Sequence, residues 1–159
     1  MSSLRSHIAF AASAALLLPL GAPGRAAAEP CEGPPGPVRL YVNVEGVRTA
    51  RGRIEVTVYP DNAARFLKKG GSLYVGRVNA QAGRTRVCLQ LPRTGHYGLA
   101  VLHDANGNRK MDKNFLGLPG EGFGFSNNPV LRLGPPAFAK VRFAVPRSGV
   151  QTSVKLRYL

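Results

Sequence analysis

Residues 85–104 read TRVCLQLPRTGHYGLAVLHD, and this stretch decides the fold class of the chain. Apolar residues occupy every second position of its first part, namely Val87, Leu89 and Leu91. Such period-two alternation is typical of a strand with one buried face. A turn with proline and glycine then leads into a second strand at 97–102, whose first residue, Tyr97, is placed to reach back to the loop backbone as in a tyrosine corner.

The same reasoning extends along most of the chain. Seven segments are predicted to be strands: 38–44, 54–58, 73–79, 85–91, 97–102, 141–145 and 150–158. Residues 61–70 are the one helical candidate, with Asp61 as its cap and packing of Phe66 and Leu67 to hold it. This order predicts an all-β protein, an antiparallel β-sandwich of the immunoglobulin or transthyretin-like type, with one short helix and one long loop.

The beginning of the chain has the pattern of a secretory signal peptide, predicted to cover residues 1–28. Arg5 supplies the positive charge, an apolar run follows, and Ala26-Ala27-Ala28 forms a small-residue cleavage site. The run has about 13 residues, too few to span a bilayer comfortably, although an uncleaved anchor stays open as an alternative. An extended lead-in at 29–37 and a β-sandwich domain at 38–159 follow, with no second hydrophobic segment. We therefore expect a periplasmic or secreted protein without a transmembrane segment after signal removal.

The chain is strongly basic. It carries 22 Lys and Arg against 8 Asp and Glu; Arg5 and Arg25 lie in the signal, so 20 basic residues and a net charge of +12 remain. This charge favours attraction to an anionic surface such as lipid headgroups or acidic polymers. The basic residues are spread along the whole chain, however, which is also typical of a proteome rich in arginine. Export makes nucleic acid a poor candidate partner.

The two cysteines, Cys31 and Cys88, both lie after the signal. An isolated pair in an oxidising compartment most often forms a disulfide. The pair would tie the lead-in to the outer face of the strand at 85–91. A loop of this length predicts a stabilisation of about 4 kcal/mol.

The segment 103–128, HDANGNRKMDKNFLGLPGEGFGFSNN, is predicted to be a long functional loop. Its first half places oxygen-bearing side chains at positions 1, 3, 5 and 9 of a calcium loop, with a backbone carbonyl at position 7. The predicted calcium ligands are therefore Asp104, Asn106, Asn108, Lys110 and Asp112. The match is incomplete, because Arg109 takes the place of glycine at position 6 and Phe115 takes that of glutamate at position 12, although Glu121 could return to the site. A turn in which Asp and Asn side chains bond to local backbone explains the same residues without a metal.

The second half of the loop interleaves glycines with aromatic residues. A group of phenylalanines is not left in water without a reason: they either cap the open end of the sandwich or form a surface for a ligand or partner. The candidate binding residues are Phe115, Phe123, Phe125 and Asn127.

Catalytic motifs give little support for an enzyme. His103 next to Asp104 is the one neighbouring base and acid pair, and with Glu121 it is the only plausible acid–base group. A strand-end histidine bonded to a local carboxylate is more often structural than catalytic.

Residues 91–138 resemble a known family of bacterial exported proteins, catalogued as domain of unknown function 2141. The resemblance rests on the residues Leu91, Pro92, Gly95, Tyr97, His103, Asp104, Asn106, Asn108, Asp112, Asn114, Phe115, Gly117, Pro119, Glu121, Gly124, Phe125, Ser126, Asn127, Gly134, Pro135, Pro136 and Phe138. Two features depart from the pattern: Arg109 stands where the family usually has glycine, and one additional residue separates Pro92 from Gly95. The resemblance implies an architecture and an exported location but no activity.

Three functional hypotheses remain. The first is a binding or structural module of the cell envelope that uses the 103–128 loop, with an unknown protein or envelope component as partner and weakly bound Ca²⁺ as a structural ion. The second is a small periplasmic hydrolase using His103, Asp104 and Glu121. The third is an adhesion module that holds anionic envelope surfaces by its net charge.

Overall fold

The computed structural model of the protein describes residues 30–132 and 134–159. The predicted signal peptide lies outside these residues. The strands are β1 (Val38–Val47), β2 (Arg53–Pro60), β3 (Tyr74–Asn79), β4 (Gly83–Leu91), β5 (Gly95–Asp104), β6 (Gly122–Phe125), β7 (Phe143–Val145) and β8 (Val150–Lys155). A 3-10 helix covers Ala63–Arg65, and a single turn of α-helix, α1, covers Phe138–Val141. In this part of the chain, no helix is long and apolar enough to cross a membrane.

The strands form two sheets. One has the order β4-β1-β8, and the other has the order β3-β2-β5-β6, with β7 pairing to β5 at the end that β6 leaves free. All pairs are antiparallel except β1 with β8, which is parallel. The predicted all-β sandwich is thus confirmed, with one parallel pair at the edge of the smaller sheet.

The core between the sheets is built by the alternation read from the sequence. The inward side chains of β1, β2, β4 and β5 are buried in one cluster that includes Leu40, Ile54, Val56, Leu89, Leu99 and Val101. Full burial of one such side chain contributes about 1.5–3 kcal/mol, so this cluster is the main source of stability. Tyr97 closes the β4–β5 turn as predicted, because its hydroxyl donates to the carbonyl of Arg93 at 2.8 Å.

A second apolar cluster covers the other face of the larger sheet. It contains Tyr59, Phe66, Phe125, Phe138 and Val141. The 3-10 helix and α1 supply its outer layer, and a Cβ at Gly98 would come within 2.8 Å of the Phe138 ring. Glycine at this position therefore lets α1 lie directly on β5.

The chain closes the sandwich at two places. After β8, Leu156 still donates its N–H to Glu45 of β1, whereas Arg157 exchanges two backbone hydrogen bonds, of 2.8 and 2.9 Å, with Phe123 of β6. One step along the backbone thus moves the chain from the smaller sheet to the larger one. The two sheets are joined there by main-chain bonds as well as by the core.

The lead-in joins the sheets at the opposite side. Cys31 and Cys88 form a disulfide with a Cα–Cα distance of 4.5 Å, as predicted. Next to it, Glu32 donates its N–H to the carbonyl of Cys88 and accepts the N–H of Gln90, both at 2.8 Å. Its carboxylate also accepts from the hydroxyl of Tyr74 on β3, at 3.1 Å. The lead-in therefore covers the edge of β4 and reaches across to the larger sheet.

The helix predicted at 61–70 is wrong in extent and in its cap. Only Ala63–Arg65 is helical, and Asn62 is the capping residue, with its side-chain oxygen accepting the N–H of Ala64. Asp61 instead forms a two-pronged pair with Arg142, at 2.7 and 2.8 Å, and the guanidinium lowers the pKa of this carboxyl. A segment of two turns is too short to be stable without packing, and here only Phe66 is buried, whereas Leu67 is exposed.

Three strand predictions also need correction. Val141 ends α1 and is not part of the strand that follows, which covers Phe143–Val145. The last strand ends at Lys155, short of the predicted 158, because the chain changes sheets there. An eighth strand, Gly122–Phe125, lies inside the predicted loop.

The disulfide gives a first test of the fold. Replacing both cysteines by serine is expected to lower the free energy of unfolding by about 2–4 kcal/mol, because the unfolded chain regains the freedom of a long loop. Urea unfolding of the variant beside the oxidised wild type measures this loss, and the reduced wild type serves as the matched control. An unchanged midpoint in both would show that the disulfide contributes no stability.

Candidate functional site

The loop after β5 begins with a completely buried carboxylate. Asp104 has no exposed surface, and one of its oxygens accepts the N–H groups of Gly107 and Asn108, at 2.8 and 3.1 Å. The other oxygen accepts the N–H of Arg109 at 2.8 Å. A short acidic side chain at the end of a strand can thus accept the backbone N–H groups of the next residues, which no longer have a neighbouring strand as partner. Asp104 holds the first turn of the loop in place.

The predicted calcium ligands beyond Asp104 do come together. The side-chain amides of Asn106 and Asn108 both donate to the carboxylate of Asp112, at 2.6–3.0 Å. Their amide oxygens accept the N–H of the residue two positions on, so Lys110 joins the network through its backbone N–H at 2.8 Å. These are Asx turns, which the sequence also allowed.

The donor set has calcium chemistry, with two carboxylates and two amides in one loop. In the described structure, however, these oxygens are engaged by N–H groups of the loop itself. Among the residues with a described position, no group of three or more His, Cys, Asp or Glu side chains is placed to hold a metal ion. Arg109 also takes a positive φ of 63°, the conformation for which a calcium loop uses glycine. Calcium binding stays a prediction.

Glu121 returns to the start of the loop, as the sequence suggested. Its carboxylate is buried and accepts the N–H of Ala105 at 2.9 Å and that of Asp112 at 3.3 Å. One side chain thereby ties the first turn, the middle of the loop and the entry into β6 together. Like those of Asp104, its carboxylate oxygens accept hydrogen bonds from backbone N–H groups.

His103 does not join the two carboxylates. Its ring is buried, with Nδ1 at 2.8 Å from the hydroxyl of Tyr158 and Nε2 at 2.9 Å from the carbonyl of Arg51. Because a carbonyl only accepts, Nε2 carries a proton. The three predicted acid–base residues therefore have separate hydrogen-bond partners and do not face a common point.

Residues 112–120 form a small hairpin that stands out from the loop. Gly120 donates to the carbonyl of Asp112 and Asn114 to that of Leu118, at 2.7 and 2.8 Å. The side-chain oxygen of Asn114 accepts two more N–H groups, from Leu116 and Leu118. The turn is thus held by backbone and side-chain bonds together, and its apolar side chains point away from the core.

The exposed apolar side chains of this hairpin, Phe115, Leu116 and Leu118, are called the hairpin tip below. Phe115 is 95% exposed, Leu116 66% and Leu118 45%. Of the four predicted surface residues, only Phe115 lies at this tip. Phe125 packs in the second core cluster, and Phe123 lies half-buried beside it, with 6.2 Å between ring centroids. Phe123 and Phe125 therefore pack against the sandwich, whereas Phe115 is exposed to solvent.

Three consecutive residues after β6 bind the surrounding elements to one another. The hydroxyl of Ser126 is completely buried, accepts the N–H of Leu99 at 2.9 Å and donates to the carbonyl of Val141. Asn127 donates to the carbonyls of Lys140 and Arg142, and Asn128 exchanges two bonds with β8 through Ser153 and Lys155. Asn127, predicted as a binding residue, is thus used inside the fold.

The glycines of β6 explain why such a weak strand sequence forms a strand. A Cβ at Gly122 would overlap the ring of Tyr158, and one at Gly124 would lie 2.7 Å from the carbonyl oxygen of Lys155. Bare backbone at both positions lets the end of the chain cross β6 closely. The stacked Tyr158 also contacts Arg48, whose guanidinium carbon lies 4.1 Å from the ring centroid.

A groove lies beside the hairpin, between it and the residues Leu131, Arg132, Gly134 and Pro135, with a volume of about 650 Å³. Phe123 and Phe125 form its floor, and Leu118 and Leu131 stand at its sides. No single motif marks this groove in the sequence, because its residues come from five separate segments. Only the interleaved phenylalanines and glycines of β6 hinted at it.

A comparison with models of protein families gives a match. The model of a protein family described as "Uncharacterized protein conserved in bacteria (DUF2141)" matches residues 42–153, a range that runs from β1 to β8 and contains the whole loop. Searches of curated proteins and of solved structures found no match.

Ser126 offers a test of the segment after β6. Ser126→Ala leaves the buried N–H of Leu99 and the carbonyl of Val141 without a partner, so we expect a loss of about 1–3 kcal/mol in the free energy of unfolding. Ser148→Ala, at an exposed position, is the control and should change it by less than about 0.5 kcal/mol. Urea unfolding decides, and equal effects of the two substitutions would contradict the assignment.

Asp104 tests the loop and the calcium prediction together. In EDTA, Asp104→Ala should lower the melting temperature by several degrees, equivalent to about 1–3 kcal/mol, because the N–H groups of Gly107 and Arg109 lose their acceptor and that of Asn108 loses one of two. If calcium binds the folded chain alone, millimolar calcium raises the melting temperature of the wild type, and Asp104→Ala abolishes the rise. A wild type that melts equally in EDTA and calcium would contradict the calcium prediction, whereas an unchanged variant in EDTA would contradict the buried turn.

Proposed function

Since the chain belongs to DUF2141, a family of uncharacterized bacterial proteins, we propose its function from its own geometry. It is a binding module of the cell envelope, located in the periplasm or secreted, and its binding face is the outer surface of the 103–128 loop. The partner is a component of the envelope. The location is supported by the Cys31–Cys88 disulfide, which is typical of proteins in oxidising compartments.

The observation that carries this proposal is the hairpin tip. An exposed apolar residue is ordinary when it stands alone, but three within four consecutive positions of one small hairpin concentrate apolar surface there. Phe115, at 95% exposure, has nearly its whole ring in water. Burial of such a ring against a partner contributes about 1.5–3 kcal/mol, which the free chain does not use.

The rigidity of the loop supports the same conclusion. Asp104, Glu121 and Asn114 accept backbone N–H groups of the loop from within, which favours one conformation of the tip. A binding surface that is already ordered loses little conformational entropy when a partner docks. The hydrogen bonds of the loop and the exposure of its tip are thus both consistent with a binding surface.

Cosedimentation with isolated bacterial cell envelopes tests the proposal. Replacing Phe115 and Leu116 by serine should weaken binding at least about tenfold, since two apolar anchors are lost. Val130→Ser is the matched control, because Val130 is also an exposed apolar residue, at 80%, but lies outside the hairpin. Binding by the double variant that equals the wild type would overturn the assignment of the tip.

Salt separates this proposal from adhesion by net charge. At roughly 0.5 M salt, interactions between exposed charges are largely screened, whereas apolar contacts persist. Envelope binding by the tip should therefore survive. Complete loss in salt, with the tip variant unaffected at low salt, would favour the basic charge of the chain as the cause.

A further inference from the structure

The groove beside the hairpin has the size and lining of a small-molecule site. Its volume of about 650 Å³ falls within the roughly 300–1,000 Å³ that ligand pockets usually have. Phe123, Phe125, Leu118 and Leu131 give it a continuous apolar lining. An occupant therefore needs an apolar body.

The floor of the groove is held in place from below and from the side. Phe125 is only 7% exposed and packs in the second core cluster, with 6.1 Å between its ring centroid and that of Phe66. Phe123 is fixed through its backbone by the two hydrogen bonds to Arg157. This floor exists before any ligand binds, so little reorganisation opposes binding.

The rim of the groove is basic. Lys113, Arg132 and Arg157 line it, and all three are exposed. No Asp or Glu stands among the lining residues, and none of the three cations takes part in an ion pair within 30–132 and 134–159. Leu159, the last residue, lines the groove as well, so the lining residues carry three positive charges against one terminal carboxylate.

We propose that the groove binds a single-chain amphiphile with a carboxylate head, such as a free fatty acid. The apolar chain would lie on Phe123 and Phe125, and the carboxylate would accept hydrogen bonds at the rim, where arginine offers a planar fork suited to a carboxylate. The proposal rests on the proposed function, because it names the ligand class of the same binding face.

Calorimetric titration with laurate tests it, on protein produced from the full 159-residue sequence and at laurate concentrations below micelle formation. Laurate should bind saturably with a stoichiometry of one. Dodecyltrimethylammonium, which has the same chain and the opposite charge, should not bind. Equal binding of both amphiphiles would show a purely apolar interaction and overturn the charge argument.

Two variants locate the site. Arg132→Glu with Arg157→Glu should weaken laurate binding at least about tenfold, equivalent to about 1.4 kcal/mol. Arg147→Glu with Arg93→Glu makes the same change in net charge at exposed positions that do not line the groove, and should leave binding within about twofold. An equal loss in the control pair would mean that laurate responds to the overall charge, and the groove assignment would fail.

Leu131→Gln tests the apolar part, because it places an amide in the lining of the groove without changing the charge. We expect weaker binding of laurate by a variant that stays folded, with a modest fall in melting temperature because Leu131 packs partly buried against the second core cluster. Unaltered laurate binding by this variant would contradict the proposed position of the chain.

The two proposals fail in different ways. If laurate does not bind but envelopes still sediment the protein through Phe115, the ligand assignment is wrong and the binding module stands. If laurate does not bind but vesicles containing anionic phospholipid do, the groove does not bind a free fatty acid, and this face of the protein docks on a membrane. If laurate binds and the Phe115 and Leu116 variant keeps full envelope binding, the groove stands and the hairpin tip does not.

Discussion

The rest of the candidate site depends on one interaction: two buried carboxylates accept hydrogen bonds from backbone N–H groups of the loop. A loop of this length leaves many backbone donors without a ladder partner, and a donor buried without a partner costs about 1–3 kcal/mol. Asp104 accepts three of them, and Glu121 accepts two more. Because these two side chains satisfy the interior of the loop, its apolar residues are free to face outwards. The display of Phe115 is thus a result of the polar chemistry beneath it.

Most of the sandwich could be predicted, because the alternation of apolar and polar residues in the local sequence shows which face of each strand is buried. In β1, β2, β4 and β5 the buried inward face consists mostly of apolar residues at every second position, with Thr85 and His103 as the polar members. The exceptions depend on contacts made far along the chain. Strand β6 has two glycines in four residues, a composition unfavourable for strands. It is held by pairing with β5 and with Arg157, and its glycines leave room for Tyr158 and Lys155. The parallel pairing of β8 with β1 likewise has no local signal, since alternation does not tell strand direction.

The candidate site shows the same division between local and distant causes. The Asp and Asn residues from 104 to 112 were expected to meet, and they do, because they are neighbours in one turn. His103 and Asp104 were paired by adjacency, but neighbouring residues of a strand point to opposite faces. His103 accordingly lies in the row of Tyr97, Leu99 and Val101, and its partners come from residues about 50 positions away. Ser126 resembled a turn residue, and only the packing of α1 on β5 makes its hydroxyl a buried link between them.

The edge of β4 has a consequence beyond stability. An edge strand carries a row of unpaired N–H and carbonyl groups, which is a template for pairing with another chain. The lead-in occupies part of that row through Glu32, and the bond between Cys31 and Cys88 keeps it there. Reduction leaves this cover attached by a few hydrogen bonds alone, so the protection of the molecule against aggregation is tied to its redox state. In a reduced copy the edge of β4 is therefore covered through hydrogen bonds alone, whereas oxidation of the cysteine pair fixes the cover covalently.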